Sequence, residues 1–327
     1  MKEKILVTGC AGFIGSSLVK KLLSYNKFKV YGLDNVNNYY DLRLKKDRLK
    51  KLTSNSNFKF YKIDILNKKK IIENFKMNNY KHVFHLAAQA GVRFSIEKPE
   101  EYLNSNIIGF YNILEAAKKT KLSNLYFASS SSVYGDKKKF PLSENFSTDF
   151  PKSFYAATKK CNEVMAYSYS NLYNIKMFGL RFFTVYGPYG RPDMTPFSFL
   201  TKHFNKKNIE IYNQGKHERD FTYIDDAINL IFKIFQKTKK NSFKSNFEIF
   251  NVAGGKPNKL MNYIKVIEKK LDVKIRKKFI KKQAGDVIKT FANTKKHIFS
   301  QVINQNFLLK MELVILLIGI KNTIISN

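Results

Sequence analysis

The stretch TGCAGFIG, Thr8 to Gly15, follows an apolar run and opens an amphipathic one, and that order narrows the possible folds sharply. A strand that turns into a helix through Gly9, Gly12 and Gly15 leaves backbone N–H groups and the positive helix end facing outward, ready for a pyrophosphate. Gly15 lets the helix pack close to the strand. Asp34 ends the second strand-like run, KVYGLD, 19 residues beyond Gly15, where a carboxylate can accept a hydrogen bond from a ribose 2′-OH. An acid at that place repels the 2′-phosphate of NADP, so the expected cofactor is NAD. The expected cofactor contacts are Gly9, Gly12, Phe13, Ile14, Gly15, Asp34 and Asn35, then Asp64 and Ile65 at the adenine edge, and Leu86, Ala87 and Ala88 after the fourth strand.

Strand-like and helical patterns alternate through the first half, the rhythm of a parallel sheet covered by helices on both faces. KILVTG, KVYGLD, FKFYKIDI, HVFHLAAQ, NLYFASSSSVYG and IKMFGLRFFTVYG read as buried strands, with helices over segments such as Phe13 to Tyr25 and Tyr102 to Lys119. The fold class is therefore α/β, a doubly wound parallel sheet. After about Tyr186 a Pro and Gly loop, GPYGRPDMTPF, leads into shorter elements that include FEIFNVAGG and the helical KLMNYIKVIEKKL. The expected division is residues 1–185 for the dinucleotide domain and mainly 186–300 for a smaller lobe, with parts of 218–255 returning to the first domain.

Composition excludes more than it assigns. The 327 residues are 44% hydrophobic and 26% charged, an ordinary globular balance. Two cysteines, Cys10 and Cys161, are too few for a disulfide framework or a structural zinc site, and no metal is expected. The start, MKEKILVTGC, passes directly into a strand pattern without the segments of a signal peptide, so the expected location is cytoplasmic. The formal charge of +34 is spread along the chain with abundant Lys, Asn, Ile and Phe, as AT-rich codons produce, and no nucleic-acid partner is inferred from it. A positive field would still favour capture of a small anionic substrate.

Within SFYAATKKCNEVMAYSYS, Tyr155 and Lys159 are four residues apart and share one helix face. An ammonium near a phenol favours the phenolate, which makes Tyr155 a candidate general base for a sugar or alcohol hydroxyl. Upstream, ASSSSVYG ends a strand at the carboxyl edge of the sheet, where ligands bind in this architecture. A serine hydroxyl there can share the substrate's proton. His82 and His85 flank the fourth strand without the carboxylate or cysteine cluster of a metal site.

These strings together resemble the extended short-chain dehydrogenase/reductases of the nucleotide-sugar epimerase type, which carry a Rossmann sheet. More narrowly, DNVNNYYDLRLKKDRL, HLAAQAGVRFS, SSSSVYG, YAATKK, RFFTVYGPYGRPDM and RDFTYIDD resemble bacterial UDP-glucuronate 4-epimerases. The resemblance implies that Ser130, Tyr155 and Lys159 are catalytic, with Tyr155 and Lys159 also meeting NAD. It implies substrate contacts from Ser132, Arg93, Thr184 and Arg191, and from Arg219 at the UDP phosphates. The implied reaction oxidises C4 of a UDP-sugar, turns the 4-keto sugar over and reduces its other face, for surface polysaccharide synthesis. Sugar dehydratases and decarboxylases of this type carry acids before VYG, where this chain has Ser131 and Ser132. Epimerisation of UDP-N-acetylglucosamine or UDP-glucose, or an impaired NAD-binding remnant, are the alternatives. A homodimer through the helices of the catalytic region is also implied.

The end of the chain departs from that resemblance. LVILLIGI, Leu313 to Ile320, is bounded by Glu312 and Lys321 and falls short of the roughly 20 apolar residues of a membrane span, so no membrane partner is expected. Residues 311–327 can be encoded by AT-rich codons that, read two bases later, give GISNFIDWYKEYYNK and a stop. Such an amphipathic ending is what the resemblance leads one to expect. Carried upstream, the same regrouping gives YKPKFSIKN across Val302 to Met311. Residues 301–327 therefore read as an aberrant, frameshifted tail, with the shift between about Ile298 and Val302.

Overall fold

The computed structural model describes residues 2–296 apart from 241, 244 and 284; residues 301–327, expected from the sequence to be a frameshifted tail, lie outside the described residues. The chain forms two compact units and passes between them five times: 1–135, 147–182 and 228–250 make the first, and 136–146, 183–227 and 251 onward the second.

Apolar runs with few polar breaks give the strands of the first unit: β1 (Glu3–Thr8), β2 (Phe28–Asp34), β3 (Phe58–Lys62), β4 (His82–His85), β5 (Asn124–Ser130) and β6 (Lys176–Phe182). Ile5, Leu6, Val7, Val83 and Phe84 are fully buried, as strands covered on both faces require. The helices between them are α1 (Phe13–Leu23), α2 (Leu42–Thr53) and α3 (Lys68–Asn78), then the short α4 (Phe94–Glu97) and α5 (Pro99–Tyr102), α6 (Gly109–Lys119) and α7 (Phe154–Tyr173). Polar side chains start three of them. Asp41 accepts from Arg43 N, Asn67 from Lys70 N and Ser153 from Ala156 N, each satisfying a donor that the helix leaves open. Asn79 and Asn174 end α3 and α7 in the left-handed conformation, which asparagine tolerates.

The order in the sheet is β3-β2-β1-β4-β5-β6 with a late strand, Phe247–Val252, beside β6. The pairings from β3 to β6 are all parallel. This is the doubly wound Rossmann arrangement. Its order reverses between β1 and β4, and the carboxyl ends there are the ligand-binding edge of such sheets.

Two segments differ from the sequence pattern. IKMFGLRFFTVYG reads as one strand but divides at Phe183, whose N–H donates to Val252 O at 3.1 Å; β7 (Thr184–Tyr186) then pairs in another sheet. The helix expected over Tyr102 to Lys119 contains a π-helical turn, Leu103–Ile108, before α6. That turn presents Asn106, whose amide accepts from Gln89 N at 2.9 Å and donates to Gln89 O and Thr158 Oγ1 at 3.0 Å, joining the loop after β4 to α7.

The second unit adds α8 (Thr195–Phe204), β8 (Ile209–Ile211) and β9 (Glu218–Tyr223); α9 (Ile224–Lys239) follows β9 and belongs to the first unit from Ile228 on. With the late strand labelled β10, the chain continues through β11 (Pro257–Lys259), α10 (Leu260–Leu271) and β12 (Lys277–Phe279). β7 pairs with β9 in parallel, β11 pairs with β9 antiparallel, and β12 pairs with β8. Its core gathers Tyr186, Leu200, Ile209, Ile211, Phe221, Tyr263 and Ile264.

Candidate active site

The glycine loop is built so tightly that side chains are excluded. Gly9 has φ +70°, and a Cβ there would stand 2.7 Å from Ala87 N, in the loop leaving β4. A Cβ on Gly15 would stand 2.1 Å from Gly9 O, so only glycine lets α1 start this close to β1. Gly12 begins α1 with no side chain capping the helix, and the N–H groups of Phe13, Ile14 and their neighbours, which a helix start leaves without intrahelical partners, suit a pyrophosphate. Leu86, Ala87 and Ala88 are half-buried beside the loop, with Ala87 N donating to Thr8 Oγ1 at 3.2 Å.

Asp34 sits at the end of β2 and is itself buried. Its Oδ2 accepts from Ala11 N at 3.0 Å and its Oδ1 from Val36 N at 2.8 Å. Burial raises its carboxyl above the ordinary range, while those N–H groups and the charges of Lys45 and Arg48 oppose the rise. Arg48, from α2, also holds the glycine loop by donating to Ala11 O at 3.0 Å. Asn35 donates to Asp64 Oδ2 at 2.8 Å, so two of the expected adenosine contacts support each other, and Ile65 is buried next to them in sequence. Cys10 is fully buried within the loop, its thiol pushed up by burial and by the charge of Asp34. The uncapped helix, glycine turn and acid at β2 fit the pyrophosphate and ribose of NAD.

At the end of β5, Ser130 Oγ accepts from Ser132 N at 3.1 Å and lies 3.2 Å from Ser132 Oγ. A short 3₁₀ turn, Ser131–Tyr134, follows. Lys159 of α7 is buried and donates from Nζ to Ala128 O on β5 at 3.0 Å. Burial pushes its ammonium down to about 7. Tyr155, one turn earlier, packs edge-on against Tyr102 with ring centroids 5.9 Å apart. The first unit thus brings Ser130, Ser132, Tyr155 and Lys159 onto β5, its turn and the helix against it. His85, under the same edge, bonds Thr8 Oγ1 through Nδ1 at 2.9 Å; burial and then the charge of Lys159 push its ring down to about 3. His82 bonds Glu3 and Asn124 at 2.9 Å. Among the described residues no group of three His, Cys, Asp or Glu side chains is placed to hold a metal ion.

Arg93 is exposed at the start of α4 in the first unit. Thr184, Arg191 and Arg219 belong to the second. Thr184 opens β7 half-buried. Arg191 makes a two-point ion pair with Asp193, Nε to Oδ1 at 3.0 Å and Nη2 to Oδ2 at 2.5 Å. Arg219 donates to Glu218 O at 3.0 Å and Ile288 O at 2.9 Å. Its neighbour Asp220, absent from the expected site, is fully buried and accepts N–H groups from Gly254, Gly255 and Ala292 at 3.0–3.2 Å. Burial lifts its carboxyl to about 6 against those donors. The RDFTYIDD string marked Arg219 but carried no sign that the next acid would be interior.

A family model, the NAD dependent epimerase/dehydratase family, matches residues 5–253. The chain belongs to this family. Among curated members, Protein CapI of Staphylococcus aureus is 45% identical over 302 residues, covering 89% of this chain and 90% of the relative. The Probable UDP-glucuronate 4-epimerase of Rhizobium meliloti is 38% identical over 303 residues, 89% of each chain. The crystal structure of the UDP-glucuronic acid 4-epimerase from Bacillus cereus, in complex with UDP-glucuronic acid and NAD, superimposes with a TM-score of 0.87 at 33% identity, covering 96% of this chain and 98% of that one. Among the described residues, no helix is long and apolar enough to cross a membrane.

Proposed function

We propose that this family member is an NAD-dependent UDP-sugar 4-epimerase whose substrate is UDP-glucuronate and whose product is UDP-galacturonate. The observation that carries the reading is the end of β5, where the Ser130–Ser132 pair closes a strand that also receives Lys159 Nζ at 3.0 Å. Serines at 131 and 132 provide neither the acid nor the base that elimination across C5 and C6 needs, so oxidation and return at C4 is the chemistry that remains. The relatives named for UDP-glucuronate support the choice of sugar.

In this mechanism Tyr155 takes the C4 hydroxyl proton and later gives it back. Lys159 stabilises the phenolate as a cation, Ser130 shares the proton at the sugar oxygen, and Ser132 supplies a second hydroxyl near the sugar. Gly9, Gly12, Phe13, Ile14, Gly15, Asp34, Asn35, Asp64, Ile65 and Leu86–Ala88 hold the cofactor. NAD, when bound, supplies the hydride acceptor and donor and is recycled in each turnover. The product of C4 oxidation is a β-keto acid, prone to lose carbon dioxide when its carboxylate aligns with the carbonyl. Thr184 and Arg191 restrain that carboxylate, and Arg219 neutralises the UDP phosphates.

Exposed Phe154, Val164, Tyr167 and Leu172 on α7, with Leu103 and Ile108 before α6, support a homodimer through these helices. A cytoplasmic location fits the two free cysteines and a UDP-sugar substrate. The product would supply surface polysaccharide synthesis. The test is incubation of the purified protein with UDP-glucuronate, UDP-glucose and UDP-N-acetylglucosamine, followed by chromatography of the sugars. UDP-galacturonate formation, abolished in Tyr155→Phe, is expected; turnover of only a neutral sugar overturns the substrate, and no turnover with bound NAD overturns the activity.

A further inference from the structure

Glu163 stands one helical turn beyond Lys159 on α7 and is buried with Arg181 of β6. Its Oε1 accepts from Arg181 Nε at 2.8 Å and from Ser129 Oγ at 2.5 Å, and its Oε2 accepts from Arg181 Nη2 at 2.8 Å. The guanidinium of Arg181 lies over the Tyr134 ring, 4.7 Å from its centroid. One ion pair thus touches every segment that bears a proposed catalytic group. It reaches β5 through Ser129, the residue before Ser130, and the turn after β5 through Tyr134, two residues from Ser132. On α7 it shares a face with Tyr155 and Lys159, since 155, 159 and 163 recur every four residues.

Stability alone does not account for charges at this place. A buried ion pair loses much of its attraction to desolvation, and well-packed apolar side chains of similar volume often hold a fold as firmly. Apolar packing, however, tolerates a helix that slides or rotates slightly on its sheet. Two parallel N–H···O bonds in the plane of a guanidinium do not. We propose that Glu163 and Arg181 are positioning residues that fix the register of α7 on β5 and β6, and so set Tyr155 and Lys159 against Ser130. This rests on the assignment of those three as catalytic. Neither Glu163 nor Arg181 touches the reacting atoms.

The experiment compares the NAD-loaded protein with the double variant Glu163→Leu/Arg181→Met and with Glu163→Gln, which keeps the shape and the Ser129 contact but removes the charge. Each is also made in a Tyr155→Phe background. The difference in near-ultraviolet tyrosinate absorbance between each protein and its Tyr155→Phe partner gives the ionisation midpoint of Tyr155 without any substrate. The double variant is expected to unfold at the same or a higher temperature and keep its NAD. Its KM for UDP-glucuronate should stay within about threefold while kcat falls about 10- to 100-fold. Its Tyr155 midpoint should move upward, with Glu163→Gln moving part of the way. A folded double variant with unchanged kcat and midpoint overturns the proposal, and should it not fold, an unchanged midpoint in Glu163→Gln does the same. If wild-type protein turns over no UDP-sugar, the substrate assignment fails, while the midpoints still decide the positioning role.

Discussion

Lys159 Nζ donates to the carbonyl of Ala128 at 3.0 Å, so the buried cation of α7 is tethered to the strand that ends in Ser130. Burial drives its ammonium down to about 7, against an ordinary value near 10.4. Between those values the unfolded chain binds the extra proton. Stability from this group is therefore complete above the unfolded value and is lost as pH falls through about 7.

Lys159→Met is accordingly expected to raise the unfolding temperature near pH 7, by about 2–4 °C for each kcal/mol of desolvation removed, and to lose that advantage as pH approaches 10. The same substitution should abolish epimerisation. Thermal melts across that range check the first half; a variant less stable than wild type at pH 7 would show that the lysine is not strained by burial.

Asp220 reverses the sign. Its carboxyl is raised to about 6 by burial, so the native state holds a proton that the unfolded chain has released above about 4. Stability from this group is complete below the unfolded value and is lost as pH rises through about 6. Asp220→Asn turns an amide donor toward N–H groups of Gly254, Gly255 and Ala292, at a cost of about 1–3 kcal/mol. The gap between wild type and variant in urea unfolding should be wider at pH 4 than at pH 7. A gap independent of pH would mean that Asp220 keeps its ordinary ionisation.

The distance over which a pattern acts decides what the sequence reveals. The glycine turn, Asp34 and the Tyr155–Lys159 spacing are local, and each keeps in the fold the place its spacing implied. Partner exchange is not local: nothing in the apolar run from Ile175 to Gly187 marks Phe183 as the point where the chain leaves one sheet for another. The π turn before α6 hides for a related reason, because one extra residue per turn barely disturbs the apolar period. Glu163 and Arg181 are 18 positions apart in a chain with 59 basic residues. Their charges look like surface charges until the sheet closes over them.

Thr184→Ala should release more decarboxylated UDP-pentose per turnover, since a carboxylate less firmly held can swing into line with the C4 carbonyl. Quantifying the UDP-sugars at equal conversion measures this. If total rate falls while the product ratio stays fixed, Thr184 serves binding and the restraint must come from elsewhere.

Resequencing the coding DNA from independent copies should reveal a one- or two-base insertion or deletion near the codons for Ile298 to Val302, with GISNFIDWYKEYYNK in the corrected frame. An unbroken frame in every copy would reject the frameshift and make LVILLIGI a feature in its own right.

The place of β10 beside β6 has a consequence for how the chain is born. β6 ends at Phe182 and its partner begins only at Phe247, so roughly sixty residues must leave the ribosome before the sheet can close. At about 5–20 residues per second that is several seconds during which β6, the strand that carries Arg181, has an open edge. A ribosome pausing within that interval would lengthen the exposure and favour pairing with neighbouring nascent chains. Synonymous codons between Phe182 and Phe247 thus bear on the yield of folded protein without altering a single residue.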